Sequence, residues 1–111
     1  MGVTFFQEIC FMRNFRTFNL AADFYRVART LRLPRELREQ FVRAASSVAL
    51  NLAEGRGKPT KADQLRFFHI AFGSLRECQA ILLLAELEAS AAFKMLDTVA
   101  AHLYRLIQRA G

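Results

Sequence analysis

The sequence predicts an all-α fold, an up-and-down antiparallel four-helix bundle, from three observations. Apolar residues recur at spacings of three and four along four segments, which is the pattern of a buried helical face. The breaks between these segments are short, and the first two contain proline or glycine. No segment alternates apolar and polar residues as a strand would. At 111 residues the chain is one domain long, so a single bundle accounts for it.

The first two predicted helices are separated by Pro34. Helix one is predicted over residues 15–32, and helix two follows over residues 34–54, with proline in its first turn. Glu36 lies near the positive end of the second helix dipole, where a carboxylate is favoured. The buried face of helix one comprises Leu20, Phe24, Val27, Ala28 and Leu31.

Glycines and a capping pattern mark the start of the second half. The segment "GRGKP" ends helix two, and Thr60 followed by Asp63 is a capping pattern for helix three, predicted over residues 60–88. Helix four is predicted over residues 92–109. Their apolar faces comprise Leu65, Phe68, Phe72, Leu75 and Leu82 in helix three and Phe93, Leu96, Val99, Ala100, Leu103 and Ile107 in helix four.

The sequence divides into two segments, and its composition predicts the cellular location and the oligomeric state of the protein. Residues 1–14 fit no helical pattern and are assigned as an N-terminal extension, and residues 15–111 as the bundle. Without a signal-peptide pattern or a long uninterrupted apolar run, the chain is predicted to be cytoplasmic, with no membrane contact. Hydrophobic residues make up 53% of it, which predicts a homo-oligomer, since a monomer would expose aromatic side chains. The candidates for exposure are Phe67, Phe72 and Phe93.

Positive charge concentrates in the first half of the bundle. Residues 13–66 hold twelve Lys or Arg against five Asp or Glu, whereas residues 67–111 hold four of each. Thirteen of the sixteen cations are Arg, whose planar fork binds phosphate in a bidentate way. We therefore predict a surface for RNA or DNA phosphates; a solvated face that keeps the protein soluble is the alternative interpretation. The candidate residues are Arg26, Arg29, Arg32, Arg35, Arg38 and Arg43.

A polar stripe lies on the predicted buried side of helix two. Ser47, Asn51 and Glu54 follow i, i+4, i+7 spacing, and a hairpin centred near Lys58 brings Asn51 close to Arg66. Since a buried polar group without a partner costs about 1 to 3 kcal/mol, we predict a network with a Glu54–Arg66 ion pair. The network either fixes helix register or lines a ligand site. Its predicted members are Ser47, Asn51, Glu54, Arg66 and Ser74.

No residue pattern indicates an enzyme, a metal site or a cofactor. Di-iron sites in bundles use Glu-x-x-His pairs, and neither His69 nor His102 follows a Glu at that spacing. Cys10 and Cys78 show no metal or redox spacing and are expected to be packing residues. The segment "GRGKPTK" lacks the strand context and the Lys-Ser/Thr ending of a P-loop. We predict a protein without catalytic activity.

Two motifs resemble a known family. The segments "RAASSVALNLAEG" (residues 43–55) and "RFFHIAFGSLRE" (residues 66–77) are similar to those of the four helix bundle proteins. That family includes proteins encoded by intervening sequences in bacterial large-subunit ribosomal RNA genes and the accessory variability determinant of diversity-generating retroelements. Its recurrent positions correspond to Ser46, Ser47, Asn51, Ala53, Glu54, Gly55, Arg66, Gly73, Ser74 and Glu77.

The resemblance implies more than the fold. It implies a ring-shaped homopentamer without enzymatic activity and, in the retroelement branch, a basic ring that binds nucleic acid and a reverse transcriptase. This chain departs from the family in lacking the Trp of helix one, a role left to Phe24 or Tyr25, and in having Ser90 where a Gly marks the last turn. Two functions follow as hypotheses: an oligomeric module that binds RNA or DNA phosphates, and a protein-protein interaction scaffold without nucleic-acid binding.

Overall fold

Four helices form the regular structure of the described residues. The computed structural model of the chain describes residues 15–110, so the predicted extension at residues 1–14 lies outside them. The helices are α1 (Arg16–Ala28), α2 (Arg35–Arg56), α3 (Lys61–Leu84) and α4 (Ala91–Ala110). Each packs against the next, and α1 also packs against α4, which closes the bundle. The prediction of an all-α fold with four helices is confirmed, and residues 15–110 contain no strand.

The first helix ends earlier than the periodicity predicted. It stops at Ala28 rather than Arg32. The Thr30 amide donates to the Val27 carbonyl at 3.0 Å, and the Thr30 hydroxyl donates to the same carbonyl at 2.8 Å. Because these bonds satisfy a terminal carbonyl locally, the chain turns before Pro34, which stands at the N-cap of α2.

The hairpin of α2 and α3 is the most extensively packed pair of helices. The predicted cap of α3 is present: the Thr60 side chain accepts a hydrogen bond from the Asp63 amide at 3.2 Å. α2 continues through Gly55, where a Cβ would lie only 2.7 Å from Cε1 of Phe68. Gly55 therefore allows the two helices to approach closely at the closed end of the hairpin.

The turn between α3 and α4 also differs from the prediction. α3 ends at Leu84, not Glu88, because Glu86 adopts a left-handed φ of 58° and reverses the chain. The Leu87 amide then donates to the Leu82 carbonyl at 2.8 Å, an arrangement that commonly terminates helices with glycine at the left-handed position. Ser90 starts α4, since its hydroxyl accepts a hydrogen bond from the Phe93 amide at 3.3 Å.

All four helices contribute to one hydrophobic core. Phe24 is fully buried in α1 and meets Phe41 of α2 edge to face, with ring centroids 5.9 Å apart, so Phe24 occupies the core position expected of an aromatic residue in helix one. The largest fully buried side chains are Phe24, Phe41, Val48, Leu52, Leu75, Cys78, Leu82, Leu96, Val99 and Leu103.

Within residues 15–110, one helix, α3, is long and apolar enough by length and composition to cross a membrane. Its 18-residue window has a mean hydropathy of 1.3, and 33% of that window is buried inside the bundle. The core helix of a soluble protein passes the same test, and α3 packs against both α2 and α4. The apolar character of its remaining surface bears on assembly, as described below.

Candidate nucleic-acid interface

The six candidate arginines surround the corner where α1 ends and α2 begins, and all six are exposed. Arg29 is the C-cap residue of α1, Arg32 lies in the connection and Arg35 is the first residue of α2. Because α1 ends early, Arg29 and Arg32 extend from a turn and not from the side of a helix. The arginines that the sequence assigned to one basic surface therefore lie around this corner.

Three of these arginines meet around one open depression of about 530 Å³. We call Arg29, Arg35 and Arg38 the corner arginines. The other lining residues are Val42, which is apolar, and Glu39. The Glu39 carboxylate accepts a hydrogen bond from Arg43 at 3.1 Å, so the single acid in this lining already has a cationic partner. Arginines from the end of α1 and the start of α2 thus line a space large enough for an anion.

The remaining three candidates do not line the depression. Arg26 donates to the Asp23 carboxylate at 2.8 Å, and Arg43 pairs with Glu39, both at exposed positions. Such exposed pairs are worth about 1 kcal/mol or less, so neither arginine is strongly held by its carboxylate. Arg32 is exposed in the connection between the helices. These residues extend the positive surface around the corner arginines.

Part of the predicted polar network joins α2 to α3. The hydroxyls of Ser47 and Ser74 lie 2.8 Å apart, and the Asn51 amide donates to the Ser47 carbonyl at 2.9 Å and to its hydroxyl at 3.0 Å. These three side chains are half-buried. The structure brings them together at the outer edge of the hairpin, where each has a partner.

The prediction of a Glu54–Arg66 ion pair is wrong. Glu54 pairs with Lys58 at 3.2 Å, and its side chain is 55% exposed. Arg66 instead lies over the Phe67 ring, 4.8 Å from the centroid. A hairpin centred near Lys58 would place Ser47 near Ile70, whereas Ser47 meets Ser74, and the rotation of the two helices turns Glu54 and Arg66 to solvent.

One family model matches the whole of this bundle. Residues 15–109 match the family described as 23S rRNA-intervening sequence protein. The chain belongs to this family. The resemblance inferred from the two motifs is therefore confirmed, and the match covers all four helices. The chain has no match among curated proteins or solved structures.

In this member of the 23S rRNA-intervening sequence protein family, the solvent side of α3 is unusually apolar. Leu83 and Leu84 are 53% and 72% exposed, and Ile70 is also exposed, as is Leu50 on α2. A Cβ built on Gly73 would also meet no atom from another part of the bundle within 4 Å. We call the following residues the outer face of α3: Arg66, His69, Ile70, Gly73, Arg76, Glu77, Ala80, Leu83 and Leu84.

The sequence interpretation missed this face, although a signal was present. Ile70, Gly73, Glu77, Ala80 and Leu84 follow spacings of three and four, parallel to the stripe assigned to the core. The aromatic residues Phe67, Phe72 and Phe93, predicted to be exposed in a monomer, are only half-buried. The exposed apolar side chains of α3 are therefore aliphatic.

The titratable groups of the described residues form no evident reactive site. Residues 15–110 contain no group of three or more His, Cys, Asp or Glu placed to hold a metal ion. Cys78 is buried, and burial together with the charge of Glu77 raises the pKa of its thiol to about 12. His102 Nδ1 lies 2.9 Å from the Thr98 carbonyl, one turn earlier in α4. Cys10 lies outside the described residues.

Proposed function

We propose that this family member is a non-enzymatic, cytoplasmic, self-assembling bundle that binds the phosphates of RNA or DNA. The observation that carries this proposal is the convergence of the corner arginines, Arg29, Arg35 and Arg38, on one open depression. A guanidinium presents two parallel N–H groups to a phosphate and keeps its charge at every physiological pH. The remaining exposed arginines would contact neighbouring phosphates of the same strand.

The proposed recognition is of backbone and not of base sequence. The sequence contains no helix-turn-helix or RNA-binding motif that would direct side chains to base edges. Binding through phosphates releases condensed counterions and falls steeply with salt, with a slope of about 0.7 to 0.9 in log K per phosphate neutralised. We therefore expect sequence-tolerant binding that is strong at low salt.

Self-assembly is the second part of the proposal, and we propose the ring-shaped homopentamer that the family resemblance implies. The outer face of α3 supports it, because exposed Ile70, Leu83 and Leu84 leave apolar surface on a helix that is already apolar toward the core. A helix that is apolar all round is normally covered. A ring would also present five sets of corner arginines to one nucleic acid, which steepens the salt dependence.

The alternative proposal is a protein-protein interaction scaffold without nucleic-acid binding. The same outer face favours it, since an exposed apolar patch rimmed by charged residues such as Arg66, Arg76 and Glu77 is typical of a protein-binding surface. In that case the arginines serve solubility. A reverse transcriptase would be the partner only if this chain belonged to the retroelement branch of the family.

Gel shifts with a paired variant test the nucleic-acid proposal. Arg35→Gln/Arg38→Gln lowers the net charge from +6 by two and removes two corner arginines. If each contacts one phosphate, the slope of log K against log salt should fall by about 1.4 to 1.8. The control, Lys94→Gln/Arg105→Gln, makes the same charge change at exposed positions of α4 and should leave most of the slope intact.

The outcomes separate the two proposals. Wild type should bind unrelated RNA and DNA oligonucleotides at low salt, with the corner variant weaker than the control. If wild type binds none of them, the nucleic-acid proposal is wrong and the scaffold replaces it. If both variants weaken binding equally, net charge and not the corner determines affinity.

A further inference from the structure

A second positively charged cavity lies at the other end of the bundle. It has a volume of about 320 Å³ and is bounded by the start of α1, the end of α2, the start of α3 and the end of α4. We call it the terminal cavity. Its cationic lining residues are Arg56, Lys61 and Arg109, and the other lining residues are Phe15, Gln64, Phe68, Leu106 and Ala110.

The electrostatics of the terminal cavity favour an anion. Three cations from three different helices line it, and none of its described lining residues is acidic. Arg56 and Arg109 lie in the last turns of α2 and α4, where the helix dipole favours a cation. Lys61, however, is the first residue of α3, where the dipole opposes a positive charge. Helix stability therefore explains two of the cations but not the third.

The remaining side chains shape the cavity without neutralising it. The Arg56 guanidinium lies over the Phe15 ring, 4.4 Å from the centroid, which orients it beside the apolar wall. The Gln64 amide donates to the Lys58 carbonyl at 2.9 Å, so this polar side chain is fixed at the rim. Lys61 and Arg109 are exposed and free to turn toward a bound anion.

We infer that the terminal cavity binds a phosphate of the same nucleic acid that the corner arginines contact. This inference rests on the proposed function and adds a second site to it. Arg38 and Arg56 are 18 residues apart in one continuous helix, which is five turns, so both leave α2 on the same side, about 27 Å apart. Along the axis of a duplex, about 27 Å corresponds to about eight base pairs at about 3.4 Å per base pair, so a duplex longer than this is long enough to reach both sites.

A second pair of charge substitutions tests this inference against the same control. Lys61→Gln/Arg109→Gln removes two exposed cations of the terminal cavity and leaves Arg56 in place. Binding to a duplex of about 20 base pairs should lose about 1.4 to 1.8 from the slope of log K against log salt. The Lys94→Gln/Arg105→Gln control makes the same charge change at two exposed positions that line neither site. A nucleoside monophosphate, added as competitor, distinguishes backbone phosphate from a free nucleotide.

Each outcome of these binding experiments either supports or overturns the inference. A larger loss in the cavity variant than in the control, with no competition by the monophosphate, supports the inference. A loss equal to that of the control overturns it. Competition by the monophosphate overturns the assignment to backbone phosphate. If Arg35→Gln/Arg38→Gln weakens binding while the cavity variant does not, the proposed function stands and the second site fails.

Discussion

The outer faces of α3 and α4 belong to the same bundle but have opposite character. On α4 the solvent side carries Lys94, Asp97, Arg105 and Gln108, and the exposed Tyr104 accepts a hydrogen bond from the Gln108 amide at 3.1 Å. On α3 the solvent side carries Ile70, Ala80, Leu83 and Leu84 among its charged residues. α4 exposes mainly polar side chains, whereas α3 also exposes several large aliphatic side chains between its charged ones.

This difference distinguishes the two helices as candidate surfaces for association. Most exposed side chains of α4 are polar, so water solvates them without difficulty. For α3, exposure of several large aliphatic side chains forgoes roughly 25 cal/mol for each Å² of apolar surface left in water. We therefore propose that copies of the chain associate through α3.

The largest effect should come from placing charge on the outer face of α3. Ile70→Glu/Leu84→Glu should dissociate the assembly, because burying each aliphatic side chain contributes about 1.5 to 3 kcal/mol and burying an unpaired charge is strongly unfavourable. In light scattering, the mass should fall to that of the monomer, 12.7 kDa.

The matched control lies on α4. Ala101→Glu/Gln108→Glu makes the same charge change at exposed positions of α4 and should leave the mass of the assembly unaltered. If the wild-type protein is itself a monodisperse monomer of 12.7 kDa, the two faces do not differ in association and the proposed ring is wrong.

Two glycine substitutions should give an intermediate effect and differ in what they disturb. Gly55→Ala places a Cβ 2.7 Å from Phe68, and such overpacking costs about 1 to 3 kcal/mol, which thermal unfolding would detect. Gly73→Ala meets no atom within the bundle, so the free energy of unfolding of a single bundle should rise by about 0.5 to 1 kcal/mol.

The assembly should respond to Gly73→Ala in the opposite direction. If a second copy packs on the outer face of α3, the new methyl group separates the helices, and the dissociation constant should rise by about tenfold, equivalent to about 1.4 kcal/mol. Dilution followed by light scattering measures it. An assembly that is unchanged or strengthened by this alanine would show that Gly73 lies outside the contact.

The smallest effect is expected at the exposed Glu54–Lys58 ion pair near the end of α2. Glu54→Ala removes an exposed i, i+4 pair with Lys58, worth about 0.3 to 0.5 kcal/mol, so the melting temperature should change by only a few degrees at most. Lys58→Ala should have a similar effect, and the double variant should show little coupling. A loss above about 2 kcal/mol for Glu54→Ala would instead point to a buried role for this carboxylate.

Local chemistry made the helix starts more predictable than the helix ends. The Thr60 cap and the proline before α2 are visible in the sequence, and both helices begin within one residue of the predicted positions. The ends of α1 and α3 were placed too late. There the chain turns at Thr30 and Glu86, residues without a strong stop signal, because turn hydrogen bonds to Val27 and Leu82 close the helices.

The candidate site shows the same division. The arginine-rich region could be located from charge alone, but the grouping of Arg29, Arg35 and Arg38 depended on where α1 ended. The terminal cavity could not be predicted, since Lys61 and Arg109 are 48 positions apart and meet only when the bundle closes. The part of the polar stripe formed by Ser47, Asn51 and Ser74 was predicted correctly, whereas Glu54 and Arg66 face solvent, because the rotation of each helix is set by contacts with distant residues.

By itself, the sequence determined that this chain forms four amphipathic segments with short connections, and its two motifs indicated the family. Both are consequences of local periodicity and residue identity, which need no partner in space. The tertiary structure decided that Ser47 meets Ser74 and not Ile70, and that Glu54 and Arg66 face solvent. It also decided that the outer face of α3 remains uncovered. These side-chain contacts and exposures depend on helix register and rotation, which are set by contacts between residues distant in the chain.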